Sequence, residues 1–293
     1  MEIFVTGATG YVGSAVCRTL LSKGFEVSGL ARSEEASASL QAAGVKPVPG
    51  DLSTPQVLAA AARKADGTIH TAMQWVPDAA ELDRSVVSTL IDALSGSNKP
   101  LIYTSAVWVM GETKGRVAGE MFPLQPPPAV AWRPAVEQMV RDSKEKGVCG
   151  VVLRPALVYG RGGGLLGNLL KEAREQGVVR VPGTGENHWS FVFIDDLAAM
   201  YHLALEKAQA GSLYLAAHGN AVTAKAVAEM AAKCTGVAGK VEWLPVEKAR
   251  ETMGPMADCL VMDQQILSTK AARELGWKPA GPGVLQAIAA GTA

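Results

Sequence analysis

Eight residues near the start of the chain constrain its fold more than any others. Thr6-Gly-Ala-Thr-Gly-Tyr-Val-Gly13 directly follows the apolar run Ile3-Phe4-Val5 and opens a segment of helical period. Strand, glycine loop and helix in that order predict a βαβ unit whose first turn faces a dinucleotide. Gly7 permits the tight turn, Gly10 lets a pyrophosphate approach the backbone, and Gly13 lets helix and strand pack closely. Thr9, Tyr11 and Val12 lie between these glycines and join them as candidate cofactor contacts. The helix N-terminus adds amide donors and positive potential. An ordinary glycine-rich turn is the competing explanation.

The rest of the chain extends the pattern. Short β-branched runs alternate with alanine-rich segments of helical period, which predicts an α/β fold: a doubly wound parallel sheet with helices on both faces. Strands are expected at about 2–6, 25–30, 45–48, 67–70, 99–104 and 149–154, with helices near 11–22, 34–43, 55–63, 79–94 and 133–146. After residue 155 the texture changes, with glycine clusters at Tyr159–Gly164 and Val181–Gly185. The expected division is a nucleotide-binding domain over 1–155 and a smaller substrate-binding lobe over 156–293. Within that lobe Phe191–Ile194 reads as a strand, with Asp195 and Asp196 capping a helix to Lys207, and about 191–207 is placed back against the first domain. Pro123-Leu-Gln-Pro-Pro-Pro128 reads as an extended loop.

Composition removes several function classes. The 28 basic and 28 acidic residues leave no net charge to draw the protein to nucleic acid or an anionic membrane. No stretch reaches the roughly 18 to 20 apolar residues of a membrane span, and the N-terminus lacks a basic start and apolar run. Cys17, Cys149, Cys234 and Cys259 are far apart and form no metal-ligand spacing, so free thiols in a cytoplasmic setting are expected, with no metal.

The end of the second strand selects the nucleotide, because an acid there accepts from a ribose 2′-hydroxyl whereas an arginine pairs with a 2′-phosphate. Gly29-Leu-Ala-Arg32-Ser33 offers a guanidinium and a hydroxyl, which predicts NADP(H). A solvated surface charge is the alternative for Arg32. Asp51 and Leu52 follow the third strand, where an adenine would lie, although helix capping would also use Asp51. His70, Thr71 and Ala72 end the fourth strand beside the expected pyrophosphate and nicotinamide ribose; His70 could equally be a satisfied core histidine.

Thr6–Gly13, Asp51-Leu52, His70–Ala72, Tyr103-Thr-Ser105, Arg154-Pro-Ala-Leu-Val-Tyr-Gly160, Phe191–Leu197 and Glu274–Pro279 together resemble the extended short-chain dehydrogenase/reductase superfamily. That is the NAD-dependent epimerase/dehydratase group. The resemblance implies a Rossmann-type lobe carrying NAD(P), a C-terminal lobe closing over substrate, and a catalytic set of Ser with Tyr-x-x-x-Lys. It also implies a homodimer through helices near 79–94 and 133–146. The chain departs from this pattern, because no Tyr-x-x-x-Lys occurs in it. Alignment on Glu137 puts Ala129 at the tyrosine position and Arg133 at the lysine position. Trp189 stands where nucleotide-sugar enzymes of the family carry a diphosphate-binding arginine, which argues against a nucleotide sugar.

Ligands of open α/β sheets sit beyond the carboxyl ends of the strands. Met73, Trp75, Trp108, Trp132 and Trp189 are therefore the candidate substrate contacts, an apolar and aromatic set unless the rings merely fill the crevice between lobes. Ser105 is the candidate donor to a reacting carbonyl, or else a residue that simply ends its strand. Arg133 could position cofactor or stabilise an oxyanion, or face solvent on its helix. Tyr159 could supply a phenol, or hold the lobe together, and Pro155 closes the list of candidate cofactor contacts. The leading expectation is an NADPH-dependent reductase of a small, largely apolar or aromatic carbonyl or conjugated compound. A non-catalytic NADP-binding sensor is the alternative from another class, ahead of an epimerase or dehydratase.

Overall fold

A parallel sheet of seven strands forms the spine of the computed structural model, which describes residues 1–293 apart from Trp75 and Ala238. The strands are β1 (Glu2–Thr6), β2 (Glu26–Ala31), β3 (Lys46–Pro49), β4 (Gly67–His70), β5 (Pro100–Thr104), β6 (Cys149–Pro155) and β7 (Leu213–Ala216). Their spatial order is β3-β2-β1-β4-β5-β6-β7, and every pair is parallel. The order reverses between β1 and β4, which opens a crevice at their carboxyl ends.

Side-chain alternation in the strands supplies both faces of the core. On one face Ile3 and Val5 pack with Val16 and Leu20 of α1 (Tyr11–Ser22), Leu40 of α2 (Glu34–Ala42) and residues of a later helix over Ile194–Lys207. On the other, Phe4, Leu101 and Tyr103 meet Leu58 of α3 (Pro55–Lys64), Leu90 and Leu94 of α4 (Ala79–Leu94), and Val136 of α5 (Arg133–Asp142). Strands covered on both faces read as continuous apolar runs, which is why they stand out in the sequence.

A second lobe is built around α6 (Gly164–Gln176), whose Leu166, Leu170 and Ala173 share a core with Val179, Val181, Phe191 and several later residues. The chain then returns to the first lobe. The helix α7 (Ile194–Lys207) lies against α1, and β7 extends the main sheet beside β6, so residues beyond 155 contribute to both lobes. The sequence leads one to expect Asp195 and Asp196 to cap α7, but its N-cap is Phe193. Both aspartates occupy its first turn, where Asp195 pairs with Arg161 and Asp196 accepts from the amides of Ala280 and Gly281. Acids there complement the helix dipole without capping it. After α7 come α8 (Ala224–Cys234), α9 (Val246–Met253), α10 (Met256–Leu260), α11 (Thr269–Leu275) and α12 (Val284–Ala289). Among the described residues no helix is long and apolar enough to cross a membrane.

Candidate functional site

The glycine loop joins β1 to α1 at the crevice. Gly7 has φ +74°, and a Cβ there would lie 2.7 Å from the Ala72 amide nitrogen. A Cβ on Gly13 would lie 2.0 Å from the Gly7 carbonyl oxygen, so helix and strand can meet only without a side chain at that position. Gly10 is the N-cap of α1, contributes no capping side chain, and no acid occupies the first helical turn. The amide donors of the helix start are thus left for a ligand, which is the feature an anionic pyrophosphate requires.

A groove of about 560 Å³ runs from this loop along the sheet edge. It brings together Gly7, Thr9, Gly10, Tyr11, Val12, Gly13, Arg32, Asp51, Leu52, Thr71, Ala72 and Met73. Gln74, which follows the fourth strand at its carboxyl end, and Leu30 also line it. Arg32 is exposed at the rim and forms no ion pair among the described residues. Ser33 is instead the N-cap of α2, its hydroxyl oxygen accepting from the Ala36 amide at 3.2 Å. Asp51 does not cap α3, whose N-cap is Thr54. The aspartate faces the groove, and its carboxylate accepts from the Ser53 amide at 2.7 Å and the Ser53 hydroxyl at 2.6 Å just before α3. Those two bonds hold its pKa below the ordinary aspartate value.

His70 is not on the groove wall. It is 2% exposed, with Nδ1 2.6 Å from the Thr6 hydroxyl and Nε2 3.2 Å from Asp83 Oδ1, which makes it a satisfied core histidine. Asp83 is the centre of a buried network that sequence reasoning missed. Its Oδ2 accepts from the Tyr103 hydroxyl at 2.6 Å and from the Trp132 indole nitrogen at 3.0 Å. Trp132 is therefore tied beneath the crevice rather than lining it. Burial works to raise the Asp83 pKa, but the hydrogen bond and charge of His70, with Arg133 and Tyr103, outweigh it and hold the carboxyl below its usual value.

Arg133 is also buried, at 7% exposure, which excludes the solvent-facing alternative. Its guanidinium donates to the Tyr103 hydroxyl at 3.1 Å, the Thr104 carbonyl at 2.9 Å and the Met73 sulfur at 3.2 Å. It approaches the groove from behind Met73, with a buried Nε that has no partner among the described residues.

Beside the groove is a smaller apolar pocket of about 230 Å³. Tyr11 and Val12 line both spaces, so the two adjoin at the start of α1. Ser105, Trp108, Pro155, Leu157, Val158 and Leu165 are among its walls. Ser105 is 5% exposed, and among the described residues its hydroxyl has no hydrogen-bond partner. Pro155 thus faces this pocket and not the groove. Thr104, one residue earlier, pairs its hydroxyl with that of Tyr201 at 2.6 Å.

Tyr159 does not offer its phenol to the crevice: the hydroxyl donates to the Pro282 carbonyl, and the ring packs edge-on against Phe191 and Phe193. Burial, with the nearby Asp196 charge, pushes its pKa up to about 12. Ala129 is buried against Cys259 and Met262, which fill the space beside that position. Trp189 donates its indole N–H to the Leu260 carbonyl at 2.8 Å and lines a second apolar cavity. Trp75 lies outside the described residues.

Comparison with known proteins agrees with this geometry. The family described as NAD dependent epimerase/dehydratase matches residues 3–217. An uncharacterised protein of Schizosaccharomyces pombe is 36% identical over 290 residues, covering 95% of each chain. A 2-alkyl-3-oxoalkanoate reductase of Stenotrophomonas maltophilia is 30% identical over 236 residues, covering 75% of this chain and 71% of its own. The UDP-glucose 4-epimerase of Thermus thermophilus, solved with NAD, superposes with a TM-score of 0.80 at 21% identity and covers 99% of both chains, a likeness of fold.

Proposed function

Since the chain belongs to the NAD dependent epimerase/dehydratase family, we propose that it is an NADP(H)-dependent reductase of small, largely apolar or aromatic carbonyl or conjugated compounds. The observation that carries this reading is the Ser105 hydroxyl, buried and unpartnered in an apolar pocket that adjoins the glycine groove. A buried hydroxyl without a partner costs about 1–3 kcal/mol, a cost that a substrate oxygen accepting its proton would remove. The reductase named among the relatives supports the same reaction class.

The glycine loop and the start of α1 would hold the pyrophosphate, Arg32 a 2′-phosphate, and Thr71, Ala72 and Met73 the nicotinamide end. A bound nicotinamide supplies the hydride. Ser105 then acts as a neutral donor to the substrate oxygen, and its apolar surroundings strengthen that bond as charge develops. The Arg133 guanidinium adds a fixed positive charge behind Met73 but no proton, because it does not titrate in the working range. Tyr11 donates its hydroxyl to the Gly160 carbonyl, and Thr104 shares its own with Tyr201, so neither is free to protonate the product, and the proton would come from water or a non-standard residue.

Calorimetric titration with NADPH and NADH tests the cofactor. A preference for NADPH on the order of ten- to a hundredfold is expected, the worth of one charge-assisted hydrogen bond, and it should vanish in Arg32→Ala. Equal affinities in the unmutated protein would remove Arg32 from the site. Binding of NADPH without oxidation across a panel of carbonyl compounds would replace the reductase with a non-catalytic sensor, which the missing Tyr-x-x-x-Lys favours. A homodimer through α4 and α5 belongs to the same proposal; light scattering giving a mass near 30.5 kDa would reject it.

A further inference from the structure

We propose that the substrate carries an unbranched aliphatic tail, which passes Ser105 and ends in a second cavity of the other lobe. The inference rests on the reductase reading and narrows its substrate. The pocket that holds Ser105 shares Leu157, Val158 and Leu165 with a further space of about 210 Å³. Leu169, Trp189, Phe191, Met253, Met256 and Leu260 close that space. The two cavities therefore adjoin at these three apolar residues, and the tail would pass between them.

The charged groups at the far end are already paired. Arg180 donates to Glu242 at 2.9 Å and faces Glu172 at 3.5 Å, so its charge is neutralised and not presented to a ligand anion. The indole N–H of Trp189 is spent on Leu260, which leaves the ring for apolar contact alone. Apart from the amide of Asn168, which is exposed, this lining has nothing to repay the desolvation of a charged or hydroxylated ligand, whereas every methylene placed there leaves water. Met253 and Met256 have three rotatable bonds each and can adjust to a flexible chain.

The test uses the full-length protein with NADPH and a series of straight-chain aldehydes. Cofactor oxidation should show kcat/KM rising about three- to fourfold per added methylene until the path is full. Calorimetry with the corresponding straight-chain alcohols reads the same preference without turnover. Leu169→Trp and, from another wall, Met256→Phe should each cut affinity for the longest alcohol at least tenfold and shift the optimum to shorter chains. NADPH titration of each variant confirms that the fold is retained. A flat chain-length profile, or a profile that neither variant changes, overturns the tail site. Tight binding of long alcohols, lost in the variants but accompanied by no turnover of any aldehyde, would uphold the tail site and reject the reductase.

Discussion

Ser105 and Tyr159 were both catalytic candidates in the sequence, with Ser105 the favoured donor, and the structure separates them by what their hydroxyls meet. Tyr159 is occupied by the Pro282 carbonyl, a partner more than a hundred residues away that no local motif announces. Ser105 has no partner among the described residues. Ser105→Ala should lower turnover at least tenfold while leaving NADPH affinity intact, measured by steady-state kinetics and calorimetry. The same variant should unfold at equal or slightly higher denaturant, since it deletes an unsatisfied hydroxyl and opens little space. Unchanged turnover would take Ser105 out of the mechanism. His70 was ambiguous for a related reason: its residue type suits both a ribose contact and a core, and only the positions of Thr6 and Asp83 decide.

Element boundaries were more legible than side-chain roles. β1, β4, α1 and α4 coincide with the ranges expected from sequence, because apolar strands bounded by glycine and long helices of regular apolar period carry strong local signals. The strand β7, Leu-Tyr-Leu-Ala, was not anticipated; four apolar residues after a helix show no period that separates strand from helix. Asp83 did leave a trace, lying on the buried stripe of α4 with Ala79, Val86, Val87 and Leu90, where an acid has to be paired. It joins α4 to β4, β5 and the N-cap of α5 through His70, Tyr103 and Trp132. Asp83→Ala orphans all three donors and should cost about 3 kcal/mol at pH 7 by urea unfolding. The folded pKa of Asp83 is depressed, so its contribution is complete above the unfolded value near pH 4 and declines as pH falls through the still lower folded value. The difference between wild type and variant should therefore shrink only in acid. A difference under about 0.5 kcal/mol at pH 7 would mean that the network does not hold the elements together.

Across the whole molecule the two lobes are joined at the cofactor loop itself. Tyr11 sits in the glycine motif, donates to the Gly160 carbonyl at 2.8 Å, and lays its ring where a Cβ on Gly163 would come within 2.3 Å. Gly163 is the N-cap of α6, and Leu165 in its first turn lines both the Ser105 pocket and the second cavity. A ligand that orders the glycine loop thereby orders the entrance of the substrate path, since Tyr11 contacts both. NADPH at about a hundredfold its Kd adds about 2.7 kcal/mol to the stability of whatever folds with its site. In the wild type that protection should extend to the second lobe, seen as slower cleavage within 160–185 under limited proteolysis. Tyr11→Ala removes the ring and the hydrogen bond, so saturating NADPH should still slow cleavage of the first lobe but no longer that of the second. Equal protection of both lobes in the variant would show that the main-chain returns through α7 and β7 couple them without Tyr11.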